Sequence, residues 1–179
     1  DGVVMETIIG FGGAGFKLAT EFQYFPQYDV YLIDSEKPPQ NHADIKHFLM
    51  APQKEHEAYE RECPSLDDFF KDIETPCLFV LSGAGKISGA SLKVLHSLRA
   101  LNVSILYIHP DEKDLQGHTK LHHNIVFGIL QEYARSGIFN RLYVVQNSKI
   151  EEILEDLPII GYLEKINKYV VSTIHMVNV

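Results

Sequence analysis

The chain has 179 residues, room for one domain with a substantial core and hardly for two, and its 45% apolar, 22% charged and 11% aromatic usage is ordinary for a globular protein. A formal net charge of −8 with no basic run disfavours nucleic acid as the main partner, because a phosphate backbone attracts clustered Lys and Arg. Two cysteines fourteen positions apart, Cys63 and Cys77, argue against a zinc knuckle and a disulfide-dense secreted domain, and no run approaches the ~20 apolar residues of a membrane span.

Apolar runs of four to seven residues alternate with longer amphipathic stretches, the pattern of a mainly parallel α/β sheet with helices on both faces. A first strand is predicted near Val3–Ile9, ending in the GFGGAG of residues 10–15, with a helix over Phe16–Tyr24. The aromatic residues Phe22, Tyr24, Phe25 and Tyr28 are expected to pack that helix on the sheet. A second strand, Asp29–Ile33, ends at Asp34 and a Pro-Pro break. Residues 42–63 show no clear period: Ile45, Phe48 and Leu49 are apolar, and the charged QKEHEAYERE follows. Ser65 and Asp68 suggest a capping-box variant opening a short helix, Leu66–Ile73.

Further on, Cys77–Leu81 reads as a buried strand that ends in SGAGKISGAS. Leu92, Val94, Leu95, Leu98 and Leu101 then mark a helix at 3.6 spacing. Val103–Ile108 is another buried strand, ending at His109-Pro110, and a long helix over Leu115–Ser136 stops at Gly137. Leu142–Val145 is the next strand, followed by a short helix, Ile150–Leu154. Pro158 opens a last helix whose apolar face holds Ile159, Tyr162, Leu163, Ile166, Val170, Thr173, Ile174 and Val177. That pattern meets no stop signal, so residues 1–179 are expected to form one domain cut within or just after this helix. Met5 is a candidate natural start, and no signal-peptide pattern opens the chain, so the expected location is cytoplasmic, with both thiols reduced and no membrane contact.

In open α/β sheets ligands bind beyond the carboxyl ends of the strands, where the strand order switches. Gly10, Gly12, Gly13 and Gly15 lie at the first such end, and glycines let a backbone approach a phosphate while the following helix start offers unpaired N–H groups. A tight strand-to-helix turn uses the same residues. The loop also fits a dinucleotide fingerprint, because Asp34 lies 19 residues after Gly15, where a carboxylate would hold an NAD ribose. A second glycine-rich loop, residues 82–90, also feeds a helix, and two such loops on one sheet edge suggest phosphates gripped from two sides. It is not a Walker loop: Val80 stands where its first glycine belongs, and Ile87 follows Lys86 in place of Ser or Thr.

At this point the chain resembles the nucleotide domain of the tubulin/FtsZ superfamily, of a bacterial or phage type. GFGGAGFK resembles the family's first phosphate loop, GxGGxGxN, and SGAGKISGA aligns without a gap on its GGGTGTG(A/S) signature. IHPDEKDLQGHTK, YVVQNSKIEEIL and LEKINKYVVSTI resemble, in order, the family's ribose segment, its IVIPNDKLLEV segment and the start of its central helix. The resemblance implies a GTP- or GDP-binding domain, with Mg²⁺ bridging the phosphates, that polymerises head to tail into protofilaments when complete. It places Gly12, Gly13, Ala14, Gly15 and Lys17 around the α/β-phosphates, and Gly83, Ala84, Gly85, Lys86, Ile87 and Ser88 around the phosphate tail. Gln116 stands at the ribose-binding Glu and Lys120 at an Arg; Asn147 and Asn167 fall where the guanine edge is read, and Leu163 or the neighbouring Tyr162 packs on the base.

Ile87 replaces a family glycine, Lys86 a threonine and Lys17 an asparagine, and the γ-phosphate loop falls in APQKEHEAYE, which has no glycine. Binding is therefore expected ahead of efficient hydrolysis, whose acidic residues follow the central helix and act on the neighbouring subunit's nucleotide. No catalytic or metal-ligating residue is assigned within the chain. His118, His122 and His123 are expected on a solvated helix face. Two alternatives stay open: an NAD-binding oxidoreductase domain using Gly10, Gly12, Gly15 and Asp34, and a tubulin-like structural module that has lost hydrolysis or binding.

Overall fold

Six strands run side by side in one direction in the computed structural model, which describes residues 7–24, 28–37, 45–74 and 76–149. They are β1 (Thr7–Phe11), β2 (Asp29–Asp34), β3 (Lys46–Leu49), β4 (Cys77–Ser82), β5 (Val103–His109) and β6 (Leu142–Gln146), in the order β3-β2-β1-β4-β5-β6. All five ladders are parallel, so every strand delivers its carboxyl end to the same edge. The order reverses between β1 and β4, which are hydrogen-bonded neighbours with Gly10 opposite Val80.

Side chains alternate along each strand, and both alternations are apolar, so both faces need a cover. On one face Ile8, Leu32, Leu78, Val80, Leu106 and Val145 meet Leu18 and Ala19 of α1 (Gly12–Ala19). On the other, Ile9, Phe11, Ile33, Phe79, Leu81, Ile105 and Tyr107 meet three helices. These are α2 (His56–Glu62) through Tyr59, α3 (Ser91–Ser97) through Val94 and Leu95, and α4 (Gly117–Arg135) through Val126 and Leu130. Single 3₁₀ turns lie at Thr20–Tyr24, Lys86–Ala90 and Glu112–Asp114.

The α/β class and its strands agree with the reading from sequence, and the differences are local. β1 runs through Gly10 and Phe11, and α1 begins at Gly12, so the glycine motif is the end of a strand and the first helical turn rather than a loop between them. The unreadable stretch holds β3 and α2. The helix predicted over Leu66–Ile73 is a set of turns, closed by Phe70 N–H to Leu66 O and Ile73 N–H to Phe70 O. Ser65 Oγ there accepts from Asp67 N–H, not from a residue three further on. α4 ends as expected: Gly137 has φ +72°, and Ile138 N–H reaches back to Tyr133 O, a Schellman closure. Phe22 is buried edge-on to Tyr28, and Phe70 is core. The predicted helices beyond residue 150 lie outside the described residues.

Candidate functional site

The two glycine-rich turns are neighbours because their strands are. After β1 the chain turns directly into α1, which has no side-chain cap and no acidic residue in its first turn. The first N–H groups of such a helix have no partner within it and present the positive end of its dipole. Gly12 holds φ +73°, a left-handed conformation that side chains disfavour. Gly15 admits α1 onto the sheet: a Cβ there would overlap the Val80 carbonyl of β4. Gly13 is exposed, with open space where its Cβ would be, and Gly85 is open in the same way on the second turn. Ala14 is half-buried, and Lys17 is exposed in the last turn of α1.

The second turn leaves β4 at Ser82, winds through the 3₁₀ residues Lys86–Ala90 and enters α3. Its shape is held from inside. The hydroxyl of Ser88, 1% exposed, faces Gly83 O at 3.1 Å and Gly85 O at 2.5 Å, and Ser88 N–H donates to Gly85 O at 3.1 Å. Ser91 Oγ–H donates to Ser88 O at 2.6 Å. Under the turn, Tyr107 Oη lies 2.5 Å from His123 Nδ1, both buried, and a Cβ on Gly83 would overlap that phenol oxygen. Burial, then the charge of His109, lowers His123 to about 4, and burial raises Tyr107, so both members of the pair are neutral. The Gly83 N–H faces the same phenol oxygen. Gly85 and Lys86 are exposed, and Ile87 is buried, its Cγ2 methyl 3.0 Å from where a Cβ on Gly12 would stand. Ile87 keeps negative φ, as every described non-glycine residue does.

Of the remaining predicted residues, Gln116, Lys120 and Asn147 follow the carboxyl ends of β5 and β6. Gln116 is exposed immediately before α4, and Lys120 is exposed in its first turns. Asn147 follows β6, with Nδ2 3.5 Å from Asp111 Oδ2, and Ser148 N–H donates to Asp111 Oδ1 at 3.3 Å. Leu163 and Asn167 lie outside the described residues. Asp34 ends β2, half-buried, accepting from Ser35 N–H at 2.7 Å; burial raises its carboxyl above the usual range. The segment expected as a γ-phosphate loop turns into α2, which packs on the 3₁₀ turn so closely that a Cβ on Gly89 would overlap the His56 carbonyl.

The histidines of α4 are not on a solvated face. Only His118 is exposed, with Nε2 2.8 Å from Glu57 Oε1; His122 is half-buried and His123 buried. The reason lies outside the helix: α2 supplies the buried His56, whose ring centroid is 4.2 Å from that of His122, and β5 supplies Tyr107 and His109 against His123. Sequence reasoning missed His56 because only its distant partners mark it. Among the described residues no group of three or more His, Cys, Asp or Glu converges as a metal ion requires, and no helix is long and apolar enough to cross a membrane. Cys63 and Cys77 are free, with the Cys77 thiol pushed up to about 12 by burial.

The sequence matches no protein-family model and no curated protein. The fold is similar to that of TubZ from Clostridium botulinum phage c-st, with TM-score 0.58 and 13% identity, covering 80% of this chain and 52% of that one. It is also similar to the phage tubulin PhuZ, solved with GDP, at TM-score 0.63 and 14% identity, covering 98% of this chain and 57% of PhuZ. The chain has the tubulin/FtsZ-type α/β fold and spans little more than half the length of these two proteins.

Proposed function

We propose that this chain is a guanine-nucleotide-binding domain of the tubulin type, holding GTP or GDP by its phosphates between the turn at Gly12–Gly13 and the turn at residues 83–88. One observation carries the reading: both turns open at the same reversal in strand order, each at an uncapped helical N-terminus with an exposed glycine. The residues fit a polyphosphate, since neither first turn contains an acidic side chain and Lys86 is exposed beside the second. Ser88 and the Tyr107–His123 pair serve the turn's shape and Ser82 Oγ accepts from Ala84 N–H, leaving contact to the backbone N–H groups of Gly85 and Lys86. Gln116 and Lys120 would face the ribose side, with Asn147, Asn167 and Leu163 holding the base. Mg²⁺ bound with the phosphates would supply charge neutralisation. PhuZ was solved with GDP, which supports the guanine preference. The complete protein would be a cytoplasmic filament former whose hydrolysis depends on acidic residues from an adjoining subunit.

A second reading rests on Ile87, whose side chain stands against Gly12 between the two turns. In that reading the domain is a tubulin-like structural module without nucleotide. Calorimetric titration of the folded chain with GDP, GTP and NAD decides. The first reading expects guanine-nucleotide binding that weakens by about tenfold or more in Gly85→Val and Asn167→Ala. Binding of NAD alone would overturn it, and a folded protein that binds none of the three supports the module.

A further inference from the structure

Where α2, α4 and the 3₁₀ turn of the second loop meet, the contact is made of histidines. His56 is 5% exposed, and its ring lies 4.2 Å from that of His122 and 5.4 Å from that of His118, centroid to centroid. The Nε2 atoms of His56 and His122 are buried with no hydrogen-bond partner among the described residues. The His122 ring faces the Ser88 carbonyl, and the His56 carbonyl is seated against Gly89. The cluster therefore touches the turn at two consecutive residues. On its exposed rim His118 bonds Glu57, tying α4 to α2.

We propose that His56, His118 and His122 form a proton-operated latch, which holds α2 against residues 86–90 at neutral pH and releases it on acidification. That the released turn binds phosphate rests on the function proposed above; the latch itself does not. The charged groups facing the cluster are few. His122, His118 and, from the 3₁₀ turn, Lys86 oppose protonation of His56, which Glu57 favours; His118 opposes it for His122, which the Ser88 carbonyl, Glu57 and Glu60 favour. Burial outweighs the carboxylates: it lowers His56 to about 4, and it lowers His122 as well. Both rings therefore stay neutral while packed and gain protons when hydrated, so acid favours the open form. The rings of His56 and His122, 4.2 Å apart with buried, unpaired Nε2 atoms, also repel each other once both carry charge.

Hydrogen–deuterium exchange of the whole chain between pH 7.5 and 5, corrected for intrinsic rates, tests this without nucleotide. Amides of 57–62 and 85–90 should lose protection below pH 6.5, by up to about tenfold per pH unit for each proton taken up, while β4 and β5 keep theirs. His122→Phe retains an aromatic ring but cannot titrate, so it should make that dependence shallower by one proton's share, His56 supplying the rest. Gly89→Ala should leave the segment open at every pH. If His122→Phe does not fold, proton NMR of the wild-type rings suffices, with His56 and His122 titrating in step with the opening. Protection that is flat with pH, or ring titrations that do not track it, overturns the latch. GDP affinity at pH 7.5 and 5.5 separates the two proposals. No binding at either pH, with opening still acid-dependent, removes the nucleotide reading alone. Equal binding at both, with flat exchange, removes the latch alone.

Discussion

Tyr107 and His123 form a buried hydrogen bond of 2.5 Å between β5 and α4, under the backbone of Gly83. The pair fixes the depth at which the second turn sits on the sheet. Tyr107→Phe removes the phenol oxygen and leaves His123 Nδ1 buried without its partner, a loss of about 1–3 kcal/mol. Urea denaturation measures it. A variant as stable as the parent would mean that the bond does not support the fold.

The glycines of the first turn should separate cleanly by role. Gly15→Ala forces a methyl into the Val80 carbonyl, and a shift of α1 off the sheet costs about 1–3 kcal/mol. Gly13→Ala meets nothing within 4 Å, and it replaces a flexible residue in a helix, so it should be neutral or stabilise by up to about 1 kcal/mol. Thermal melts of the two variants should therefore move in opposite directions, or one should not move at all.

Global stability should fall in acid. His56 and His123 are held near 4 in the folded chain against an ordinary value of 6.5, so the unfolded chain binds more protons between those limits. The stability they contribute is fully present above pH 6.5 and is lost as pH falls toward 4. Urea midpoints at pH 7.5 and pH 5 check the sign, and a midpoint that rises on acidification contradicts it.

Ile87 has two measurable effects of opposite direction. Its side chain belongs to the core, so Ile87→Val should cost about 0.5–1.5 kcal/mol and Ile87→Ala about 2–5 kcal/mol. Shortening it also clears space beside Gly12, so GDP affinity per folded molecule should rise under the proposed function. Affinity that falls in step with stability would assign Ile87 to the binding surface instead.

The parallel sheet and the adjacency of the glycine turns were legible because β1 and β4 are short, mostly apolar runs that lead into glycine-rich segments. β3 was not, since Lys46-His-Phe-Leu49 is a four-residue edge strand with only Phe48 half-buried and no alternation to read. α2 was hidden for a related reason: its seven residues bury only His56 and Tyr59, too few to show a period. The start of α1 was misplaced because glycines signal a turn, whereas here Gly12 supplies the bend and Gly13 already belongs to the helix. His122 and His123 read as surface because nothing in α4 reveals that His56 and Tyr107 wait across the interface.

The vacancy at Gly12 and the methyl of Ile87 complement each other. Since Gly10 is fixed opposite Val80, neither turn can slide to make room, and the two positions divide a single small volume between them. A side chain at position 12 would need Ile87 shortened, and the left-handed backbone there would strain it even then. Residues 75 apart in the chain therefore constrain each other as closely as neighbours, and a redesign of either turn has to begin by choosing the partner's side chain.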